Sequence, residues 1–283
     1  MQNEIVIPNK ERLEKTIESM KKDGADKLHV LADFDRTLTT AFVGGKSVRS
    51  LISVLYEGNY LTPDYAEKGQ ALSNKYHPIE VDPNVPFEEK WAAMDSWWRE
   101  HSKLLIESGL NRDVIKKAVI ESKVTLRDGY NDVADLLHTH NIPLVIMSAS
   151  GLGSEGIAQY LKQSGKFYPN VHLVCNEYEW DSTGRAVSLR EPIIHALNKY
   201  ETAIQDYSAF DAVRERKNVV LLGDSVSDVG MVQGFEYDNL VTIGFLNDRV
   251  EENLERYQKA FDVVVIGDGS MEYVHELLRE IVK

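Results

Sequence analysis

The sequence has little of several features that define other classes of protein. It contains a single cysteine, Cys175, so no disulfide can form within the chain. No uninterrupted apolar run is longer than four residues, which argues against a membrane-spanning helix. The N-terminal stretch also lacks a basic segment followed by an apolar one, so the sequence predicts no signal peptide and a cytoplasmic location.

Positive charge is scarce as well. The 283 residues include 45 acidic and 32 basic side chains, which gives a net charge of −13. Such a balance argues against a protein that coats nucleic acid through its phosphates. A small anionic substrate stays compatible with it, provided that a metal ion, a lysine or a helix N-terminus supplies local positive charge. We therefore expect a small-molecule partner, and neither nucleic acid nor a membrane.

The pattern of apolar residues indicates an α/β protein. Hydrophobic residues make up 43% of the chain, whose length suits one large or two modest domains. Short runs rich in Val, Leu and Ile alternate with helical stretches, and such runs are typical of strands that are covered on both faces. The alternation predicts a Rossmann-like, doubly wound and mostly parallel sheet. The predicted strands are 28–33, 143–148, 171–175, 219–223, 240–244 and 262–266, and the predicted helices are 9–23, 128–140, 152–165, 192–203, 207–216, 225–234, 247–260 and 270–282.

One segment breaks this alternation. Residues 45–127 contain no convincing strand pattern. We therefore predict an α/β catalytic core, formed by residues 1–44 and 128–283, with an inserted helical cap over the carboxyl ends of the strands. A small β-hairpin is predicted around residues 181–184. The predicted cap helices are 46–57, 63–76, 86–108 and 111–121.

Acidic side chains follow two of the predicted strands, where ligands of open α/β sheets bind. Asp33 and Asp35 follow the first strand, and Asp224 and Asp228 follow the fourth. Either pair alone also fits ordinary turn chemistry or the start of a helix. Together they place four carboxylates at one edge of a sheet, where they repel one another unless a cation lies between them. Because the ligands are all oxygens, the pattern favours Mg²⁺ over zinc.

Two further positions could supply the positive charge or phosphate contacts. The loop Ser148-Ala149-Ser150-Gly151 joins a predicted strand to a helix, so its backbone N–H groups and a hydroxyl could hold a phosphate. Taken alone, the same residues fit an ordinary capped loop better. Lys199 lies near the end of predicted helix 192–203, where the sequence alone assigns it no role.

The motif from Asp33 to Thr39 resembles the first motif of the haloacid dehalogenase-like hydrolase superfamily. Ser148, Lys199 and the Gly-Asp-x-x-x-Asp motif ending at Asp228 follow in the order of its remaining motifs. From about residue 28 to the end, the chain resembles the cytosolic pyrimidine 5′-nucleotidase III family. The segments that carry this closer resemblance are 78–83, 192–199, 221–225 and 244–249.

The resemblance implies a role for each residue of these motifs. Asp33 would be the nucleophile that forms an aspartyl-phosphate, and Asp35 would be the general acid and base. Mg²⁺ would bind Asp33, Asp224 and the main-chain carbonyl of Asp35, with Asp228 in support. Such a set makes chemical sense, because a carboxylate can attack phosphorus when the phosphoryl oxygens are neutralised and held in line.

By the same resemblance, Ser148, the Ala149 backbone and Lys199 would hold the phosphate, and side chains of the cap would bind the base. Glu80, which we expect in a loop flanked by prolines, matches a carboxylate that contacts the base. Trp98 matches an aromatic residue that stacks on it. Three other members of its apolar stripe fit a helix core: Trp91, Met94 and Leu105.

Two departures bear on the choice of base. Trp98 stands where pyrimidine-acting relatives carry tyrosine, and it resembles the branch that acts on 7-methylguanosine monophosphate, a cationic purine suited to indole. His101 stands where some relatives place a serine that contacts substrate.

The sequence thus predicts a Mg²⁺-dependent 5′-nucleotidase, a phosphoric monoester hydrolase, acting on pyrimidine nucleoside 5′-monophosphates such as CMP and UMP. The alternatives are the 7-methylguanosine nucleotide, a non-nucleotide phosphomonoester, and a catalytically silent relative that binds nucleotides. The intact set of Asp33, Asp35, Lys199 and Asp224 argues against a silent relative. A dehalogenase would need neither the second aspartate nor a metal.

Overall fold

The strands form one main sheet and two small hairpins. The computed structural model describes residues 4–48, 50–82, 84–199, 207, 209–234 and 236–283. The strands of the described residues are β1 (Glu4–Val6), β2 (Leu28–Ala32), β3 (Phe42–Val43), β4 (Lys46–Ser47), β5 (Leu144–Ser148), β6 (Val171–Cys175), β7 (Tyr178–Trp180), β8 (Ala186–Leu189), β9 (Asn218–Gly223), β10 (Asn239–Leu246) and β11 (Val263–Ile266). Strands β3 and β4 form one hairpin, and β7 and β8 form the predicted one near residues 181–184.

The main sheet is parallel except at one edge. Its strands lie in the order β1–β11–β10–β9–β2–β5–β6, and only the β1–β11 pair among these described strands is antiparallel. Every residue of β2, β5 and β9 is buried, which explains why these strands read as continuous apolar runs. The predicted α/β class and mostly parallel sheet are confirmed. Edge strand β1 was missed because three residues carry too little pattern.

Helices cover the sheet and form the long segment between β4 and β5. Helix α1 illustrates the local signals: the Asn9 side chain accepts from the Arg12 N–H, and Leu13, Ile17 and Met20 are buried along one face. Within the described residues the helices are α1 (Lys10–Asp23), α2 (Val54–Glu57), α3 (Tyr65–Val81), α4 (Phe87–Glu107), α5 (Arg112–Glu121), α6 (Tyr130–Thr139), α7 (Gly153–Gln163), α8 (Ala209–Val213), α9 (Val250–Ala260) and α10 (Glu272–Ile281). None of them combines the length and apolarity that crossing a bilayer requires.

Two predicted helices differ from the structure near the site. The stretch 46–57 begins with strand β4, because Gly44 and Gly45 adopt positive φ angles of 59° and 76° and close a tight hairpin. Only α2 and a short 3₁₀ turn at Leu51–Ser53 are helical there. A 3₁₀ helix, Val226–Gly234, also replaces the α-helix predicted over 225–234.

The helix predicted over 192–203 is wrong for its described part, in which residues 192–195 are irregular and residues 196–199 form turns; residues 200–203 lie outside the described residues. Side-chain amides take the place of helical hydrogen bonds there. The Asn198 side chain accepts from the His195 N–H at 2.7 Å and donates to the Ile193 carbonyl at 2.7 Å. Asn176 similarly exchanges two hydrogen bonds with the Ile194 backbone. Asparagine competes with helices in this way because its side chain resembles a peptide group.

The segment that contains α2–α5 is joined to the sheet by two adjacent connections. The Thr40 N–H donates to the Thr125 carbonyl at 2.9 Å, and the Arg127 N–H donates to the Leu38 carbonyl at 2.9 Å. The Arg127 guanidinium is buried and donates to the carbonyls of Arg36 and Thr37. These bonds fix the loop after β2, which carries Asp35, next to both connections. The division into core and cap stays a prediction.

Candidate active site

The two pairs of acidic residues lie together at the carboxyl-terminal ends of strands β2 and β9. Strands β2 and β9 are neighbours, and Ala32 pairs with Leu222, so the two strands end side by side. As a result, carboxylate oxygens of Asp33, Asp224 and Asp228 lie within 4.8 Å of one another. The sequence pattern predicted this convergence from the positions of the strand ends alone.

Lys199 lies against these carboxylates although it is not on a helix. Its ammonium group donates to Asp33, and to Oδ1 of Asp228 at 3.0 Å. Asp33, Asp228 and Lys199 are all buried. Burial lowers the pKa of Lys199, but the charges of Asp228 and Asp33 outweigh it and raise the pKa above the ordinary range of lysine. Lys199 is therefore charged at neutral pH and supplies the positive charge that an anionic ligand needs.

Simultaneous ionisation of these carboxylates is unfavourable, because burial and mutual repulsion raise their pKa values. Burial, followed by the charge of Asp228, raises the pKa of Asp33 to about 6 against the opposing effect of Lys199. Burial and the charge of Asp33 raise the pKa of Asp35 to about 7. The pKa of Asp224 is well above its usual value, because of burial and the charges of Asp33 and Asp228. Lys199 and Arg36, whose Nε lies 3.8 Å from Asp224, do not balance the four carboxylates. The all-oxygen donor set of the cluster fits a hard divalent cation.

Asp35 lies in the irregular turn Phe34–Leu38, where Arg36 adopts a φ of 63°. The backbone N–H of Leu51 donates to its carboxylate. Its Oδ1 is buried and has no hydrogen-bond partner among the described residues. An oxygen in this condition is available to a ligand. We call Asp33, Asp35, Asp224, Asp228 and Lys199 the edge cluster.

Opposite the edge cluster, α3 and α4 contribute a second set of side chains: Glu80, Trp98 and His101, which we call the helix wall. Both sets line one cavity of about 470 Å³. The structure brings all of the predicted site residues to this cavity. It also adds residues that the sequence did not single out: Arg36, Tyr56 and Trp97. Arg36 lies within the first motif and Trp97 is adjacent to Trp98, so both could have been found from their positions in the chain. Ser150, from the loop that the sequence offered for phosphate, lines the cavity as well.

The position of Glu80 corrects the sequence prediction of a loop. Glu80 belongs to the last turn of α3, which continues through Pro78 although proline removes one backbone donor there. Oε2 of Glu80 lies 3.1 Å from Nδ1 of His77, one turn earlier. Glu80 is half-buried and faces the cavity from a rigid element.

Hydrogen bonds to neighbouring segments fix the aromatic members of the helix wall, Trp98 and His101. The indole N–H of Trp98 donates to the Ala149 carbonyl at 3.2 Å, which links α4 to the loop after β5. Nε2 of His101 lies 3.1 Å from the hydroxyls of both Tyr56 and Tyr65. Burial lowers the pKa of His101 to about 4, so its ring is neutral at physiological pH. His101 is thus fixed by two tyrosines at the edge of the cavity.

Comparison with known proteins places the chain among the nucleotidases. The profile of the pyrimidine 5′-nucleotidase (UMPH-1) family matches residues 36–282. The chain belongs to this family. It is 36% identical over 276 residues to the 7-methylguanosine phosphate-specific 5′-nucleotidase of Gallus gallus, covering 97% of this chain and 95% of that protein. The Homo sapiens protein of the same name is 34% identical over 271 residues, covering 95% and 90%.

Solved structures agree with this assignment to the pyrimidine 5′-nucleotidase family. The crystal structure of cytosolic 5′-nucleotidase IIIB bound to cytidine superimposes with a TM-score of 0.86 at 27% identity, covering 99% of this chain and 94% of the other. A haloacid dehalogenase-family hydrolase of Salmonella enterica shares the fold alone, with a TM-score of 0.54 at 13% identity. The predicted family, fold and enzyme class, a phosphoric monoester hydrolase of the 5′-nucleotidase type, are confirmed.

Proposed function

We propose that this 5′-nucleotidase hydrolyses nucleoside 5′-monophosphates in the cavity between the edge cluster and the helix wall, with the α2–α5 segment as a cap. The observation that carries the proposal is the ion pair of Lys199 with Asp33 and Asp228, beside a carboxylate with an unpartnered oxygen, Asp35. A nucleophile, a cation for the phosphoryl group and a proton donor are then within one site. A cytoplasmic location belongs to the same proposal.

The reaction starts with attack of an Asp33 oxygen on phosphorus. The bond from phosphorus to the nucleoside O5′ breaks, an aspartyl-phosphate forms, and Asp35 gives its proton to the leaving oxygen. Its raised pKa of about 7 leaves a sizeable protonated fraction at neutral pH. Asp35 then takes a proton from water, which attacks the aspartyl-phosphate. Orthophosphate leaves and the Asp33 carboxylate is restored.

Phosphate binding falls to Ser148, the Ala149 N–H and Lys199. The residues that would hold Mg²⁺ are Asp33, Asp224 and the carbonyl of Asp35, with Asp228 in support. When bound, the ion supplies charge neutralisation at the phosphoryl oxygens, which a nucleophile that is itself anionic requires.

The helix wall selects the base. Trp98 offers an indole face, and Glu80 offers a carboxylate that accepts from ring or exocyclic N–H groups. The pairing of tryptophan with a carboxylate favours 7-methylguanosine 5′-monophosphate, whose cationic purine binds both groups well. The names of the Gallus gallus and Homo sapiens relatives support this choice. Pyrimidine nucleotides, CMP and UMP, are the second candidates, supported by the cytidine complex of the structural relative.

The test is phosphate release from CMP, UMP, GMP, 7-methyl-GMP and p-nitrophenyl phosphate, each with and without Mg²⁺. We expect Mg²⁺-dependent release and the highest kcat/KM for 7-methyl-GMP. Equal kcat/KM for all five would contradict recognition of the base. No release from any of them would contradict the proposed activity and favour a silent nucleotide-binding relative.

A further inference from the structure

Hydrogen bonds hold the Ser150 N–H and the carbonyl groups of the loop that follows β5. The Ser150 N–H donates to Oγ of Ser148 at 3.2 Å, and the Ser150 carbonyl accepts from the Gly153 N–H at 3.0 Å. The second of these bonds lies at the start of α7. The loop therefore turns tightly into the N-terminus of that helix, which favours anionic ligands.

Two side chains from elsewhere fix the other carbonyl groups of the loop. The Ala149 carbonyl accepts from the Trp98 indole at 3.2 Å, and the Gly151 carbonyl accepts from the Tyr178 hydroxyl at 2.9 Å. The backbone of the loop is thus held from α4 and from β7. Its conformation is set without any contribution from the Ser150 side chain.

The Ser150 hydroxyl, unlike the carbonyl groups of the loop, takes no part in this network. Ser150 is only 3% exposed, and its Oγ has no hydrogen-bond partner among the described residues. Burying a hydroxyl without a partner costs free energy, so a buried group of this kind needs an explanation. Ser150 lines the same cavity as Asp33 and Lys199, and it is adjacent in the chain to Ala149. The missing partner is therefore expected from a ligand of this cavity.

We propose that the Ser150 hydroxyl donates a hydrogen bond to a phosphoryl oxygen of the substrate. This inference rests on the proposed function and adds a phosphate-binding residue to Ser148, Ala149 and Lys199. The phosphate is the partner rather than the base, because Ser150 belongs to the loop at the strand ends, whereas the helix wall belongs to α3 and α4. A trapped water molecule is the competing explanation.

The experiment compares wild type with Ser150→Ala in the presence of Mg²⁺. A hydrogen bond to a charged partner predicts a KM increase of about ten- to a hundredfold for nucleotides and for p-nitrophenyl phosphate alike. The dissociation constant of inorganic phosphate, measured by calorimetry, should rise by the same factor. The thermal midpoint without ligand should stay constant or rise, because the variant removes an unpartnered buried hydroxyl.

Ser164→Ala is the matched control, since its hydroxyl lies beyond the other end of α7 and donates to the Tyr160 carbonyl at 3.0 Å. It should leave the dissociation constant of phosphate unchanged. An unchanged dissociation constant in Ser150→Ala would overturn the proposal. A lower midpoint without ligand would also overturn it, because it would identify a partner, such as water, in the free protein.

The phosphate measurement separates this inference from the proposed function. If wild type releases no phosphate from any nucleotide, but Ser150→Ala still weakens phosphate binding, the activity is wrong and the Ser150 contact stands. If wild type hydrolyses nucleotides and both proteins bind phosphate equally, only the Ser150 contact is wrong. Failure of wild type to bind phosphate would overturn the contact as well.

Discussion

The two sides of the cavity differ in how their side chains are positioned. The carboxylates of the edge cluster follow strands whose register fixes their positions: Ala32 pairs with Leu222, and the acidic residues begin immediately afterwards. The helix wall rests on α3 and α4, where no backbone ladder with the sheet fixes the positions of Glu80 and Trp98. Changes of helix packing can therefore move the helix wall while the edge cluster stays in place. Under the proposed function, the chemistry belongs to the strand ends and the choice of substrate to α3 and α4.

The two sides also differ in charge. The edge cluster gathers four carboxylates around Lys199, a set that under the proposed function binds Mg²⁺ and phosphate and makes no contact with the base. The helix wall carries one carboxylate, Glu80, among aromatic rings. If this contrast is correct, changes in the edge cluster should affect every substrate equally, and changes in the helix wall should depend on the base.

The largest expected effect is that of Asp33→Asn. An amide cannot form the aspartyl-phosphate, so kcat should fall by several orders of magnitude, at least about 10⁴-fold, for nucleotides and p-nitrophenyl phosphate alike. Circular dichroism and the thermal midpoint should confirm a folded protein, since Asn has nearly the same shape. A rate within tenfold of wild type would remove Asp33 from the nucleophile role.

Metal removal should have the next largest effect. EDTA should reduce turnover of every substrate by at least about a hundredfold, and added Mg²⁺ should restore it. Asp224→Ala should raise the Mg²⁺ concentration needed for half-maximal rate or abolish activity. Full activity in EDTA, with no metal found by elemental analysis of the protein, would show that cationic side chains of the cavity, Lys199 and Arg36, neutralise the phosphate without a metal.

Buried histidines provide a third test, on stability. Burial lowers the pKa of His29, in β2, and of His101, in α4, from 6.5 to about 4. The unfolded chain then takes up a proton near pH 6.5 and the folded chain only near pH 4. Each histidine therefore contributes stability above pH 6.5 that is lost as the pH falls, by about 3 kcal/mol at pH 4.

The measurement is urea unfolding between pH 7.5 and 4 for wild type, His29→Gln and His101→Gln. Buried aspartates with raised pKa values, such as Asp33, stabilise the fold as the pH falls and so oppose the effect of the histidines. The quantity to compare is therefore the difference in unfolding free energy between wild type and each variant at each pH. Each variant should lose about 3 kcal/mol less than wild type over this range. If the free energy of unfolding changes with pH in the same way for wild type and His101→Gln, His101 is open to water.

The sequence predicted the positions of the edge-cluster carboxylates better than the positions of the helix wall. Strand ends are marked by apolar runs that stop at Asp33, Ser148 and Asp224, so these positions could be placed without a structure. The position of Lys199 could not be predicted, because its segment has no helical periodicity and is fixed by hydrogen bonds of the Asn176 and Asn198 side chains. Its role came only from the resemblance to a known family, which depends on motif order rather than on secondary structure.

The helix wall was harder still. Glu80 was expected in a loop because prolines flank its segment, yet α3 accommodates Pro78 and carries Glu80 in its last turn. The contact of Trp98 with the Ala149 carbonyl, and the two tyrosines around His101, join residues far apart in the sequence. Tertiary contacts of this kind leave no periodic signal.

Glu80→Gln should affect only substrates that have a base. Loss of a charge-assisted hydrogen bond costs about 1.5–3 kcal/mol, so kcat/KM for the preferred nucleotide should fall about ten- to a hundredfold. Hydrolysis of p-nitrophenyl phosphate should change little. Glu89→Gln, on the exposed first turn of α4, is the matched control and should leave both substrates unaffected. An equal loss on both substrates would make Glu80 a structural part of the cap.

The smallest expected effect is that of Trp98→Tyr, and it addresses the choice of base directly. Loss of the indole N–H removes the bond to the Ala149 carbonyl, so every substrate, including p-nitrophenyl phosphate, should share a common loss. The informative quantity is the ratio of kcat/KM for 7-methyl-GMP to that for CMP, in which the common loss cancels. A smaller ring binds a cationic purine less well, by about 0.5–1 kcal/mol at a partly exposed site, so this ratio should fall about two- to fivefold. An unchanged ratio would show that Trp98 holds the loop after β5 and does not contact the base. Glu80 would then remain as the candidate of the helix wall for recognition of the base.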